Sequence, residues 1–379
     1  MQFTIFSLIV SIIWVSIFVK VICLLRKQMI FLKYFTIYPL LIFLILCILR
    51  LFLSVEWPFT LIINSYKVLP QIQSFLYTPF FKMDSININL AFIIITIWII
   101  GTFSIITKNT RCYYRFSRLL NILPEVTDKH LHDILAKSND LKSPKKIKIV
   151  VHDSIESPAI FGFFRPVILL PNIKFCDDEL FSIFIHEITH YKYGHSIIKS
   201  ISEFIRACFW WNPFFKDMSM EIAHILEMHS DKAVCNRINA AQQKIYLETI
   251  TKVSNKISST AIYPNAACSF IEERNDDKLK QRFQMIILGY NNNKMHDVVL
   301  IPIIIVMFII SYSVVFQPYS LPSHEDIGLS AEVTSAWYLI KTTEGHNLYD
   351  SNNQFIAQIV HIDESLKDLK IYENMEDMK

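Results

Sequence analysis

Four long apolar stretches constrain this chain more than any other feature, because each approaches the ~20 residues that a helix needs to cross a bilayer. They are predicted at about residues 3–25, 34–55, 88–107 and 297–317. A cleaved signal peptide is the alternative for the first stretch, but its apolar run is too long for one and no basic segment precedes it. An apolar content of 52% and a charged content of 19% also argue against a disordered chain.

Basic residues beside these stretches predict their orientation. The loop after the first stretch contains Arg26, Lys27 and Lys33 and no acid, and four basic residues follow the third stretch within residues 108–118. The positive-inside rule places both segments in the cytosol. Residues 318–379, with 11 acidic and 4 basic side chains, suit an external position. We therefore predict an external N-terminus, a cytosolic domain at residues 108–296 and an external C-terminal module.

Several classes of protein are excluded by motifs that the chain lacks. It has only 6 glycines and contains neither the dinucleotide-binding nor the P-loop glycine pattern. A net charge of +3 is too small by itself to indicate a nucleic-acid-binding protein. None of the 7 cysteines forms a C-x-x-C pair, so zinc-ribbon and thioredoxin-like sites are not expected. Free, mostly buried thiols are predicted instead.

The motif H-E-I-T-H at residues 186–190 carries the chemistry of the predicted cytosolic domain. On a helix, His186 and His190 lie one turn apart on the same face and can bind a single Zn²⁺ ion. Glu187 is placed to accept a proton from water whose pKa the metal lowers toward ~7. The alternative is an ordinary pair of surface histidines. The acidic run at residues 177–179 is predicted to begin this helix, with its two aspartates as the N-cap.

Zinc requires a third protein ligand, and Glu227 on a later predicted helix is the preferred candidate. Asp231 follows on the same helix face and could accept the outer N–H of a ligand histidine. An ordinary solvated helix face is the alternative for this pair, and His224 and His229 are alternative ligands. His195 is excluded, because on a continuous helix it would face away from the first motif histidine.

The segments around the motif predict how the domain is assembled. Asn212-Pro213 is expected to be a helix break between the motif helix and the helix that contains Glu227, so that the two helices pack antiparallel. Strands are predicted at residues 147–151 and 167–170. Beside them, an edge strand could bind a substrate peptide by main-chain pairing, although these strands could equally form only core. The candidate substrate-binding residues are Pro158, Ala159, Ile160, Phe161 and Gly162.

The ordered set of motifs resembles the BlaR/MecR-type membrane zinc metallopeptidases over about residues 1–317. The shared features are P-A-I-F-G…R-P-V-I-L-L-P at 158–171, H-E-x-x-H at 186–190, W-W-N-P at 210–213 and E-x-x-x-D at 227–231. The resemblance implies an α-helical membrane protein with four transmembrane helices and an inserted α+β zincin-like (gluzincin) domain. It also implies His186, His190 and Glu227 as zinc ligands and Glu187 as the catalytic base.

The chain departs from the best-known family members after the fourth apolar stretch. In those members an outer sensor binds β-lactam, and the peptidase then relieves repression of resistance genes. Residues 318–379 are too few for a penicillin-binding domain and contain no S-x-x-K, so β-lactam sensing is not expected here. Alternating apolar runs at Ala336–Lys341, Gln354–Ile362 and Leu369–Tyr372 instead predict a small β-rich module.

The expected function is a membrane-embedded zinc metalloendopeptidase of the bacterial plasma (inner) membrane, acting in signal transduction or transcriptional regulation. A quality-control protease and a non-catalytic receptor or scaffold with a vestigial zinc fold are the alternatives. The expected partners are a protein or peptide substrate (a repressor or the chain itself) and the lipid bilayer, with no direct contact to nucleic acid and a homodimer left open. Residues 269–293 are predicted to form a membrane-surface amphipathic helix rather than a self-cleavage site. His224 and Tyr191 are candidates for stabilising the oxyanion.

Overall fold

The computed structural model describes residues 2–3, 5–28, 38–65, 68–83, 86–138, 147–257, 276–289, 296–318, 337–342, 345–349, 354–359 and 369–373. The helices are α1 (Ile5–Lys27), α2 (Tyr38–Phe52), α3 (Val68–Tyr77), α4 (Leu90–Ile122), α5 (Lys129–Ser138), α6 (Asp177–Lys192), α7 (His195–Cys208), α8 (Pro213–Cys235), α9 (Ala240–Ile257), α10 (Asp276–Leu288) and α11 (Asp297–Ile310). The strands are β1 (Gln2–Phe3), β2 (Val55–Glu56), β3 (Leu61–Ser65), β4 (Pro79–Met83), β5 (Ile86–Asn89), β6 (Lys148–His152), β7 (Ala159–Phe161), β8 (Val167–Pro171), β9 (Val314–Pro318), β10 (Tyr338–Thr342), β11 (Gly345–Tyr349), β12 (Phe355–Ile359) and β13 (Lys370–Tyr372). The chain forms two compact units, one from Met1–Leu61 with Ala91–Val315 and one from Ile62–Leu90 with Phe316–Lys379.

Among the described residues, two helices are long and apolar enough to cross a membrane by length and composition, namely α1 and α4. The other two predicted spans coincide with the shorter apolar helices α2 and α11. Residues 34–37 of the second predicted span lie outside the described residues. Helix α4 continues to Ile122, well beyond the predicted limit of residue 107, whereas α11 ends at Ile310 and is followed by a turn and β9. Four complete spans are therefore not established.

In the first unit, the apolar helices share a core with α8. Helices α1, α2 and α8 contribute most of its buried side chains, and α8 is buried on nearly all sides, as expected of a helix inside a core. The central residues are Phe18, Ile22, Phe43, Leu44, Phe215, Met218, Ile222 and Ile225. At the end of α1, buried Arg26 pairs with Glu221 on α8 and donates to Gln281 Oε1 on α10 at 2.6 Å. These contacts join α1, α8 and α10.

A three-stranded sheet supports the motif helix. The strand order is β6-β8-β7, with β6 parallel and β7 antiparallel to β8, so β7 lies at an edge. Residues on one face, including Ile149 and Ile168, pack against α5 and α6, and the alternate residues Val150 and Leu169 pack against Leu120 of α4. This alternation buries both faces of the sheet. The two predicted strands are thus present within one residue of their expected limits.

The helices that follow differ from the prediction in two respects. The N-cap of α6 is Cys176, not the two aspartates, and its backbone N–H donates to Glu179 Oε2 at 2.8 Å. Helix α6 then ends at Lys192, and α7 begins after Gly194, whose φ of 65° is left-handed. Three helices rather than two therefore occupy this segment. The expected break at Asn212-Pro213 is present, with the Asn212 side chain accepting from the Phe214 N–H at 3.0 Å.

The second unit contains the predicted β-rich tail. Four strands form a sheet in the order β12-β11-β10-β13, antiparallel except for the parallel pair β10–β13. Leu339, Leu348 and Leu369 form its small core. The prediction omitted β11, whose sequence G-H-N-L-Y has no regular apolar alternation. The unit also contains the antiparallel pair β4–β5.

Candidate metal centre

Three side chains of metal-binding type converge between α6 and α8. One donor atom each from His186, His190 and Glu227 lies within 4.8 Å of the others, and no further such group is found among the described residues. The Nε2 atoms of the two histidines are 3.1 Å apart. Glu227 Oε2 lies 3.1 Å from His186 Nε2, and Oε1 lies 3.4 Å from His190 Nε2. Donors about 2.0–2.1 Å from a tetrahedral zinc ion are roughly 3.3 Å apart, so the donor types and spacing fit zinc.

The charges of these groups also fit a cation site. Burial opposes a charge on His186, but hydrogen bonds to Asp231 and Glu227 outweigh burial and raise its pKa to about 10. Burial lowers the pKa of His190 to about 4. Burial also opposes ionisation of Glu227, but Lys199 and the two histidines hold its pKa well below the usual value. Without a metal, therefore, a proton on His186 supplies positive charge beside the carboxylates.

His186 is held from behind by a polar cluster. Its Nδ1 lies 2.9 Å from Tyr246 Oη and 3.3 Å from Asp231 Oδ1, which accepts from Tyr246 at 2.6 Å. Arg282 on α10 donates from Nε to Asp231 Oδ2 at 2.7 Å and from Nη2 to Oδ1 at 2.9 Å. Asp231 is fully buried, which opposes its ionisation. The charge and hydrogen bonds of Arg282, together with His186, outweigh burial and hold the pKa of Asp231 below its usual value. Asp231 thus lies on the side of His186 opposite to Nε2, beside the Nδ1 atom.

His190 has a different neighbour, His195, whose predicted orientation was wrong although it does not belong to the group of candidate ligands. Because α6 ends before Gly194, the chain turns and brings His195 back, with its Nδ1 at 2.9 Å from His190 Nδ1. The Nε2 atom of His195 lies 3.2 Å from Nδ1 of His229. The argument that His195 faces away assumed one continuous helix. His229, expected as an alternative ligand, belongs to this outer chain of histidines instead.

Glu187 lies beside the ligands, buried, and receives a backbone hydrogen bond from Ile160 of β7. Burial, with a contribution from Glu227, outweighs the opposing effects of His186 and Lys199 and raises the pKa of Glu187 to about 7. A carboxyl with such a pKa can both take up and release a proton near neutral pH. The contact from Ile160 also shows that the edge strand faces the motif helix.

These groups line a cavity of about 270 Å³. The five residues predicted to bind substrate all lie along its wall, at positions 158–162. Lys199 on α7 also lines it and donates to Glu227 Oε1 at 3.1 Å. The remaining wall is mixed, with apolar and aromatic side chains such as Phe163 and Val253 beside hydroxyl groups and the cations Lys278 and Arg282. The cavity thus offers both apolar and cationic surface beside the three candidate ligands.

Two candidates for the oxyanion role lie elsewhere. His224 is fully buried, with Nε2 at 2.9 Å from Gln281 Oε1, and neither His224 nor Tyr191 lines the cavity. Arg282 was missed because its segment was predicted to lie on the membrane surface, whereas α10 buries Met285 and Ile286 against the helices of the first unit. Residues 269–275 and 290–293 of that segment lie outside the described residues.

Comparisons with known proteins identify distant relatives of this chain. The regulatory protein BlaR1 of Bacillus licheniformis is 24% identical over 162 residues, which cover 42% of this chain and 27% of that protein. BlaR1 of Staphylococcus aureus is 28% identical over 178 residues, covering 45% and 29%. The methicillin resistance mecR1 protein of Staphylococcus aureus (strain Mu50) is 22% identical over 208 residues, covering 54% and 32%.

The matched regions thus span less than a third of the length of these relatives. A family model described as BlaR1 peptidase M56 matches residues 5–286, which is most of the 379-residue chain and includes the whole ligand group. This chain belongs to the BlaR1 peptidase M56 family.

Proposed function

We propose that the chain is a membrane-embedded zinc metalloendopeptidase with a gluzincin-like domain, which hydrolyses a peptide bond of a cytosolic or membrane-proximal protein. The observation that carries the proposal is the convergence of His186, His190 and Glu227 at a cavity that Glu187 also lines. Membership of a peptidase family supports hydrolysis. Because relatives bear the name regulatory protein, we assign the activity to signal transduction or transcriptional regulation.

The chain's own groups divide the work of hydrolysis. A zinc ion, when bound, supplies Lewis acidity that polarises the substrate carbonyl and lowers the pKa of water to ~7. Glu187 accepts the proton of the attacking water and returns it to the departing amine, which its pKa of about 7 permits. Strand β7 aligns the substrate in an extended conformation through its outer main-chain groups. Asp231 and Tyr246 orient the imidazole of His186.

The proposed topology places this chemistry in the cytosol. Residues 1–107 would supply three membrane helices, 108–296 the peptidase domain, 297–317 the fourth helix and 318–379 the external module. The basic residues after the first and third apolar stretches and the acidic tail support this orientation. The module then serves as the receiver of an external signal other than β-lactam.

Replacing the proposed base tests the mechanism. Glu187→Gln keeps the shape of the side chain but cannot accept a proton, so we expect hydrolysis of a mixed peptide library to fall by about 10²–10⁴-fold. Zinc content, measured by mass spectrometry of the purified full-length chain, should stay at the wild-type level. Glu248→Gln, which changes an exposed glutamate on α9, is the matched control. Undiminished hydrolysis by Glu187→Gln would remove Glu187 from the mechanism.

The alternative functions predict different results for the same purified chain and for cells that express it. A wild-type chain that binds zinc but hydrolyses no peptide would indicate a receptor or scaffold. N-terminal sequencing of fragments from cells that express wild type or Glu187→Gln separates the two protease hypotheses. A regulator should yield few Glu187-dependent cleavages, a quality-control protease many. A Glu187-dependent fragment of the chain itself would identify self-cleavage.

A further inference from the structure

Behind His190 lies a second pair of histidines, His195 and His229. His190, His195 and His229 are at most 9% exposed and come from three helices, α6, α7 and α8. The ring nitrogens form a continuous series, with contacts of 2.9 Å between His190 and His195 and 3.2 Å between His195 and His229. Each contact is short enough for one hydrogen bond and has room for one proton.

The direction of these hydrogen bonds follows from the ligand geometry. His190 Nε2 is the atom that faces His186 and Glu227, so metal binding uses the lone pair on Nε2 and leaves the proton on Nδ1. That proton is donated to His195 Nδ1. His195 must then carry its own proton on Nε2, which it donates to His229 Nδ1. One tautomer is therefore specified for each of the three rings.

The outermost ring is itself held in place. The Tyr193 ring packs edge-on against His229, with centroids 4.7 Å apart, and the Tyr38 ring does so at 6.2 Å. Tyr193 belongs to the turn between α6 and α7, and Tyr38 is the first residue of α2. The orientation of a cavity-lining imidazole is thus connected, ring by ring, to the start of an apolar helix.

We propose that His195 and His229 are positioning residues, which fix the tautomer and ring orientation of His190 as a metal ligand. The inference rests on the proposed zinc site and extends it to residues that bind no metal. It also distinguishes the two ligand histidines, because His186 is backed by a carboxylate and His190 by neutral rings. Removing a partner that orients a ligand histidine typically weakens metal binding by 10–100-fold.

Two variants of His195 with side chains of similar size test this positioning role. In His195→Asn the amide oxygen takes nearly the position of Nδ1 and can still accept from His190, whereas the Leu side chain of His195→Leu cannot. The zinc affinity of each purified full-length chain is measured by competition with a chromophoric chelator, and the absorption spectrum of the Co²⁺-substituted protein reports ligand geometry. We expect His195→Leu to bind zinc 10–100-fold more weakly than wild type, with an altered Co²⁺ spectrum, and His195→Asn to recover most of the affinity.

Equal zinc affinities for His195→Asn and His195→Leu would overturn the proposal. His132→Leu is the control, because it removes another hydrogen-bonded imidazole on α5, remote from the cavity, and should leave zinc binding unchanged. If His195→Leu does not fold, His229→Asn and His229→Leu provide the same comparison, and the absence of any difference between them again overturns it. A wild-type chain that binds zinc but lacks hydrolysis would refute the proposed peptidase and leave this test unaffected.

Discussion

The two histidines of H-E-x-x-H have opposite acid–base character although they occupy equivalent positions on one helix. His186 faces Asp231 and Glu227, which raise its pKa to about 10 against the effect of burial, whereas burial lowers that of His190 to about 4. A metal that binds the Nε2 atoms of both histidines must therefore displace a proton from His186 but none from His190. Metal binding is consequently coupled to proton release.

This coupling predicts how zinc affinity depends on pH. Because the pKa of His186 is raised, its proton is retained at neutral pH and competes with zinc. The apparent affinity should rise by roughly tenfold per pH unit between about pH 6 and 8. Calorimetry in buffers of different ionisation enthalpy should detect about one proton released per zinc bound. An affinity that does not change over this range would show that His186 is already neutral.

Arg282 gives a second prediction at this scale. Asp231 is fully buried and accepts two hydrogen bonds from Arg282, so Arg282→Met removes the guanidinium and leaves Tyr246 and His186 beside the carboxylate. Breaking a buried pair in this way typically costs ~3–5 kcal/mol. We expect a lower thermal midpoint and weaker zinc binding in Arg282→Met. Exposed Arg165→Met is the control, and equal midpoints for the two variants would contradict the prediction.

The sequence predicted some of these residues and could not have predicted others. Glu227 and Asp231 could be predicted because two acids four residues apart on one helix form a local sequence pattern. Arg282 is 51 residues from Asp231, and nothing in its own segment indicates that partner. His195 was rejected by correct helical geometry applied to a helix that ends earlier, since the turn at Tyr193-Gly194 changes the direction of the chain.

At the scale of elements, the edge strand β7 depends on the turn that follows it. Gly162 has a φ of 100°, and a Cβ atom there would lie 2.5 Å from the carbonyl oxygen of Arg165. No side chain fits this position without movement of the backbone. The turn therefore fixes the path of β7 between β8 and the cavity.

Gly162→Ala should accordingly displace the substrate strand. We expect KM for peptide hydrolysis to rise while the bound zinc stays at its wild-type level, because the ligands lie on α6 and α8. Gly289→Ala is a matched control, since this glycine also has a positive φ, of 82°, but a Cβ there would contact nothing within 4 Å. An unchanged KM in Gly162→Ala would argue against peptide binding along β7.

The elements themselves were predictable to different degrees. Strands β6 and β8 have short apolar runs bounded by turn residues, and Asn212-Pro213 combines a capping side chain with a favoured first residue. The lengths of the apolar helices were less predictable, because hydropathy does not show where an amphiphilic extension such as the end of α4 continues.

For the whole molecule, the orientation across the membrane can be tested with a native thiol. Cys176, immediately before α6, is exposed, whereas the other cysteines among the described residues are buried or half-buried. If this region is cytosolic, a membrane-impermeant maleimide should label Cys176 in inverted vesicles but not in intact spheroplasts. The variant Cys176→Ser gives the background. Phe59→Cys in that background, in an exposed loop predicted to be external, should show the reverse pattern.

The core that α8 shares with α1 and α2 affects how the Glu227 carboxylate moves when these helices tilt. The buried residues of α8 from Phe215 to Met228 pack in one core with α1 and α2, and Glu227 lies within this stretch, about 18 Å from Phe215 at 1.5 Å per residue. A tilt of α8 by about 5° about Phe215 would displace the Glu227 carboxylate by roughly 1.6 Å. That displacement is several times the ~0.2 Å tolerance of a metal–ligand distance. Under the proposed topology, a change in the tilt of α1 or α2 would therefore reach the candidate ligand Glu227 through this shared core.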